Sequence, residues 1–223
     1  MTLGHRVAGV KHPLLGYFLD AAAGRFPLVD GQVTYVPPLE RGIEAVVAFT
    51  GHSVIASRLQ QADLVDLEPD GFGRSLAPAV LMRLGEIGRI GEIDVTLVAR
   101  GAGGGSLPIT TEWNEHPRAQ RACRLRSGVV VHGDERGFVT IGRGLAGRRE
   151  MSIEIPPERH SSGTGRELIA EARALVEPTE WVFAGVSPGN ARSLRAFLSQ
   201  GFVPIGSEVL IEPDHARAVV VDH

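Results

Sequence analysis

The chain has 223 residues, 43% hydrophobic and 22% charged, with a formal net charge of -3. That length can bury a sizeable core in one large domain or two small ones, and the composition is that of a soluble globular protein. A slight acidic excess excludes the strongly basic balance of a phosphate-backbone binder, so no nucleic-acid partner is expected. Cys123 is the single cysteine, which rules out an intrachain disulfide and fits a reducing, cytoplasmic setting.

The first apolar patch is broken by Gly16, Tyr17 and Asp20, too early for a membrane span or a signal segment, and a helix is expected around Pro13 to Ala23. A strand follows near Gln32 to Val36 and stops at Pro37-Pro38. The β-branched run Ile43 to Phe49, the turn Thr50-Gly51-His52 and the returning strand Ser53 to Ala56 come next. Leu76, Val80, Leu81 and Leu84 form one stripe of a helix over Ser75 to Leu84, and Ile93 to Val98 alternates as a strand. The stretch Gly101 to Ser106 holds too much glycine for either element. It divides the chain into residues 1–100, an α/β extension without a chemical motif, and residues 101–223.

Beyond the glycines, Pro117 to Arg126 is expected to be helical, with Cys123 a buried thiol. Strands are expected at Val129 to His132, Phe138 to Ile141 and Arg149 to Ile155, the last ended by Pro156 and Pro157. A helix then runs to Val176 with Leu168, Ile169, Ala172, Leu175 and Val176 on one side. Trp181 to Val186 is a buried strand. Asn190 begins a second helix with Leu194, Phe197 and Leu198 inward and Gly201 at its C-terminal cap. Strands at Val203 to Ile211 and Ala218 to Val221 finish the chain.

Chemistry concentrates where the strand ending at Ile155 enters its helix through His160-Ser161-Ser162-Gly163-Thr164-Gly165. The first turn of a helix carries unpaired N–H groups and a positive dipole end, and glycines let a phosphate approach them closely. Ser161, Ser162 and Thr164 add hydroxyls, and Arg159 and Arg166 add charge, so the segment reads as a pyrophosphate cradle. The run Gly142 to Gly147 satisfies GxGxxG, but the helix a dinucleotide site needs does not follow it. The chain holds no GxxxxGK[ST], HExxH or paired CxxC, and no metal site is expected. On the strand itself, Glu150, Ser152 and Glu154 share one face and Met151, Ile153 and Ile155 the other.

These segments resemble the GNAT superfamily of N-acetyltransferases over about Gly128 to Val221. The cradle fits motif A except at His160, where Gln or Arg is usual. The helix from Asn190 to Gly201-Phe202 resembles motif B, with Phe197 where many members carry a proton-donating Tyr. The resemblance implies an α/β (α+β) fold, with a mixed, mostly antiparallel twisted sheet flanked by helices, plus the N-terminal extension. It implies acetyl-CoA as cofactor, its pyrophosphate at His160, Ser161, Ser162, Gly163, Thr164, Gly165 and Arg166. The backbone of Ile153 and Ile155 would meet pantetheine, with Asn190, Ser193 and Phe197 on the cofactor side. Glu154 is the implied catalytic base and Glu150 the second choice. The implied reaction is direct acetyl transfer to a small-molecule or peptide amine in a ternary complex, without a membrane partner and with room for a homodimer. N-terminal loops such as Glu68 to Arg74 would set acceptor choice. The alternative is a GNAT-like module that binds acyl-CoA and regulates without turnover.

Overall fold

A computed structural model of the chain describes residues 11–86, 88–159 and 163–212. In chain order these residues form helix α1 (Pro13–Ala22), strands β1 (Val33–Val36), β2 (Glu44–Phe49) and β3 (His52–Ala56), and helix α2 (Pro78–Gly85). Strands β4 (Arg89–Ile90) and β5 (Asp94–Arg100), helix α3 (Pro117–Leu125), and strands β6 (Ser127–Asp134), β7 (Gly137–Arg143) and β8 (Arg149–Glu154) follow. Helix α4 (Thr164–Ala174), strand β9 (Trp181–Val186), helix α5 (Ala191–Ser199) and strand β10 (Val203–Glu212) complete the order. The strand expected at Ala218 to Val221 lies outside the described residues.

Three helices start on proline, whose fixed φ suits the first helical position. His12 and His116 cap α1 and α3 by accepting the N–H of Leu14 and of Arg118, each at 3.2 Å. The helix expected from Ser75 instead begins at Pro78. Ala77 is extended, as a residue before proline prefers, so Arg74–Leu76 is split off as a separate 3-10 turn.

The strands form one ten-stranded sheet in the order β1-β3-β2-β10-β5-β9-β8-β7-β6, with β4 added to β10. Among the described strands, β1 with β3 and β8 with β9 pair in parallel and the other pairs are antiparallel. The fold is therefore the mixed, mostly antiparallel sheet flanked by helices that the sequence implied. β10, from the C-terminal half, lies between β2 and β5 of the N-terminal half. The division near residue 100 thus separates two stretches of sequence but not two sheets. Its glycines pass tightly over the end of α4. The amides of Gly101 and Gly105 donate to Glu180 and Ala174 at 2.9 Å, and a Cβ at Gly101 would stand 2.3 Å from the carbonyl oxygens of Val176 and Glu177.

Helices cover both faces. On one, α4 and α5 bury Leu168, Ile169 and Phe197 against Leu97, Val139, Met151 and Val182, and further along α2 buries Val80 and Leu84 against Val46, Ile55 and Val209. On the other, α1 sets Leu14 and Phe18 against Val47, Val54, Val98 and Phe183, and α3 sets Ala119 against Val131 and Phe138. Two inward expectations fail for want of a place in these stripes. Cys123 is exposed because α3 buries Ala119 and Ala122, and Leu198 is 45% exposed because α5 turns Leu194 and Phe197 inward.

Between α1 and the sheet lies a buried ionic network. Arg148 donates to both carboxylate oxygens of Glu208, at 2.8 and 2.5 Å, and through Nε to Glu150 at 2.9 Å. Its guanidinium carbon lies 4.1 Å from the ring centre of Phe18 and 5.0 Å from that of Phe183. Glu150 also accepts from Leu145 N and Arg126 Nε, and Glu208 from the Thr96 hydroxyl. Removing one member leaves buried charge uncompensated. Arg148→Met is expected to lower the unfolding free energy by about 3–5 kcal/mol in urea titrations; a loss below about 1 kcal/mol would show that the network is not needed for stability.

Candidate functional site

Strands β8 and β9 run parallel, yet their ladder is confined to Glu150 opposite Phe183 among the described residues. Beyond that point no further pairing joins them among the described residues. Continuing the register places Ser152 level with Gly185 across the opening. β8 leads to α4 and β9 to α5, so two helix N-termini flank the same end of the gap, on the face that α4 and α5 share.

At the start of α4, Gly163 has φ 147° and ψ −37°, a conformation that glycine alone adopts easily. Gly165 lies close to Ile155, whose Cδ1 would be 3.3 Å from a Cβ there. Arg166 is exposed, and its amide donates to the Gly163 carbonyl at 2.8 Å, as does that of Glu167 at 3.1 Å. Of the amides expected to converge on a pyrophosphate, that of Arg166 is thus already turned into its own helix. His160, Ser161, Ser162 and the side chain of Arg159 lie outside the described residues. On α5, Asn190 is the cap, its Oδ1 accepting from Ser193 N at 3.0 Å, so these two expected cofactor residues meet as a helix-capping pair. Phe197 is 3% exposed and packs edge-on against Phe202 at 5.0 Å. It offers the core a ring and presents almost no surface to a cofactor, because it sits on the inward stripe of α5.

The opposite face of the gap opens on a cavity of about 1400 Å³ between α1, α3 and the sheet. Ser152, Gly185, Asp94 and Glu208 form part of its floor. The expected alternation holds. Glu150 and Ser152 line this cavity, while Met151, Ile153 and Ile155 pack toward α4. The two candidate bases have other attachments. Burial pushes the Glu150 carboxyl upward, but Arg148, Arg126 and the Leu145 N–H outweigh it and hold the pKa below the ordinary value. Glu150 is thus a satisfied counter-ion and a weak base. Glu154 is bound to Arg118 Nε at 2.5 Å.

A third carboxylate is better placed. Asp94 begins β5, across from Glu208 on β10, and lies over Gly185, where a Cβ would come within 3.1 Å of its Oδ2. It lines the cavity and has no hydrogen bond or ion pair among the described residues. Burial first, then the charges of Glu208 and Glu92, push its pKa up to about 6, against the opposing pull of Arg121 and Arg118. Nothing in the sequence around Asp94 marks it. Only the strand order brings β5 beside β9. The cationic wall is more readable, since Arg118, Arg121, Ala122 and Leu125 recur at helical spacing and all line the cavity.

No helix among the described residues is long and apolar enough to cross a membrane, and no group of His, Cys, Asp or Glu there is placed to hold a metal ion. No family model matches the chain, and no curated protein does. Solved structures with partial likeness include a protein assigned to the GNAT acetyltransferases from Novosphingobium aromaticivorans DSM 12444, at 15% identity and TM-score 0.36 over 55% of this chain. Another is a GCN5-related N-acetyltransferase from Kribbella flavida, at 16% identity and TM-score 0.35 over 60% of this chain. The match spans 63% of each of those chains, less than two thirds of their length. What the protein does is therefore read from its own residues.

The raised pKa of Asp94 has a sign in stability. Its folded value of about 6 exceeds the ordinary 3.8, so ionising it costs folding free energy at neutral pH and costs nothing once both states are protonated. Asp94→Asn is expected to raise Tm near about pH 8, with the gain fading as the pH falls through about 6 toward about 4. A Tm difference that does not vary with pH would show that Asp94 is not held in this way.

Proposed function

We propose that this protein is a GNAT-type N-acetyltransferase that moves an acetyl group from acetyl-CoA to an amine. The observation that carries the reading is the parting of β8 from β9, with helix N-termini on one face of the gap and a charged cavity on the other. An acyl carrier and an acceptor could then approach from opposite sides and meet between the strands. A reducing, cytoplasmic setting fits a protein whose one cysteine, Cys123, is a free exposed thiol.

The residues suit such a carrier. Gly163 and Gly165 keep side chains away from the first turn of α4, and the segment 160–166 would hold the diphosphate. The edge of β8 that faces β9 makes no ladder beyond Glu150 among the described residues, which supports the backbone around Ile153 as the partner for pantetheine, with Ile155 next in line. Acetyl-CoA, when bound, supplies an acyl thioester. Asp94 receives the proton that the amine nitrogen loses. A base with pKa near 6 is mostly ionised at neutral pH and still accepts a proton readily. Phe197 has no proton to give, so the leaving thiolate takes one from solvent.

Three measurements test this. Calorimetry should show coenzyme A binding that Gly163→Val weakens, since valine cannot adopt φ 147° without strain. Acetyl-CoA should release thiol with some member of an amine panel. Asp94→Asn should lower kcat by about 100-fold or more, remove an acid limb near pH 6 from the kcat/KM profile, and leave coenzyme A affinity intact. Binding without thiol release on any amine would favour the regulatory module, and no binding at all would end the reading.

A further inference from the structure

The cavity above the gap is lined by twice as many cationic side chains as carboxylates, although the whole chain has a net charge of -3. Most of these cations are spent inside the protein. Arg148 serves Glu208 and Glu150, Arg126 serves Glu150, Arg118 holds Glu154, and Arg143 and Arg149 share Glu180.

Arg121 is different. It is partly buried on α3, lines the cavity, and has no hydrogen bond or ion pair among the described residues. Burial first, then the neighbouring cations Arg89 and Arg124, lower its pKa against the opposing pull of Glu212 and Asp94. A guanidinium nevertheless stays charged at any physiological pH. A partly desolvated cation among like charges is held at a cost that an arriving anion would offset. Arg118 stands one turn earlier on the same helix face, and both guanidinium charges act on Asp94. Asp94 likewise has no hydrogen bond or ion pair among the described residues. Among those residues the cavity therefore presents a carboxylate at the gap and a guanidinium on its wall that no other side chain binds. That arrangement complements a molecule with a positive end and a negative end. As it enters, an ammonium is drawn to Asp94 and its anionic end to α3.

We propose that the acceptor is an amine that also carries an anionic group, a carboxylate or a phosphate, held by Arg121 in the positive field of α3 while its nitrogen meets Asp94. The proposal rests on the transferase reading for the chemistry but makes its own claim about which molecule enters. Guanidinium grips either anion through paired N–H donors, so the two sources share one recognition.

The test pairs amines with and without an anionic group: alanine with alaninamide, and phosphoethanolamine with ethanolamine. Thiol release from acetyl-CoA is followed for each, and binding of the same amines is measured by calorimetry. The member with the anionic group is expected to exceed its partner without one in kcat/KM by roughly 10- to 100-fold, the span a charge-assisted hydrogen bond supplies. The preference should reside in KM, weaken with added salt, and collapse in Arg121→Gln. Arg121→Lys should recover part of it, and Arg83→Gln, on the far face, should change nothing. The pair with the larger ratio identifies the anion. Equal or better turnover of the amines that lack an anionic group, unmoved by Arg121→Gln, would overturn the proposal and leave the transferase reading standing. Should no amine release thiol, calorimetry decides. Binding of an anionic amine that Arg121→Gln abolishes upholds the site, and no binding by either anionic amine overturns it. Failure of coenzyme A to bind counts against the transferase reading alone.

Discussion

A guanidinium sealed from water must be neutralised where it stands, and the position of Arg148 sets terms for much of the molecule. Its carboxylate partners sit on β8 and β10, and between those strands run β9 and β5. The ion pairs thus reach across the middle of the sheet on the face that α1 covers, with Phe18 and Phe183 against the guanidinium plane. Glu150 is the residue at which β8 and β9 last pair, so the network fixes the point from which the two strands part. The opening between them is defined by a buried charge that takes no part in the proposed chemistry.

That division of labour explains the contrast among three carboxylates in one neighbourhood. Glu150 is surrounded by donors and ionised for good. Glu154 is drawn to Arg118 on α3. Asp94 lacks a donor, faces Glu208, and is pushed toward protonation. Environment assigns the roles, since the side chains are chemically close to identical. A residue short of partners costs stability, and such residues gather where a protein does its work.

Much of the local structure was legible in the chain. Apolar runs and turn residues located β2, β3 and β9, and alternation located β5, to within a residue or two, and the stripe from Leu168 to Ala172 located α4. The face assignment along β8 also followed, because period-two alternation admits no other answer. What the residues around 150 to 154 could not show was their company. Glu150 and Glu154 look alike in sequence, and only Arg148, Arg126 and Arg118, brought in from a turn and a helix, tell them apart. Asp94 was missed for a related reason. Its significance comes from Gly185 on β9 and Glu208 on β10, each more than ninety residues away in the chain, and no local pattern encodes that adjacency. Cys123 and Leu198 were misjudged because an apolar residue next to a helical stripe need not belong to it.

The place of β10 has a consequence for how the chain comes to be folded. A ribosome makes this strand more than a hundred residues after β5, yet it is the piece that joins β2 to β5 and supplies a partner to β4. Until it emerges, two long strand edges made early in synthesis wait with unpaired backbone groups, open to aggregation or to a chaperone. Contacts so distant in sequence are slow to close. Neither stretch can complete the sheet without the other, so loss of β10 would undo strands made long before it as surely as those beside it in sequence.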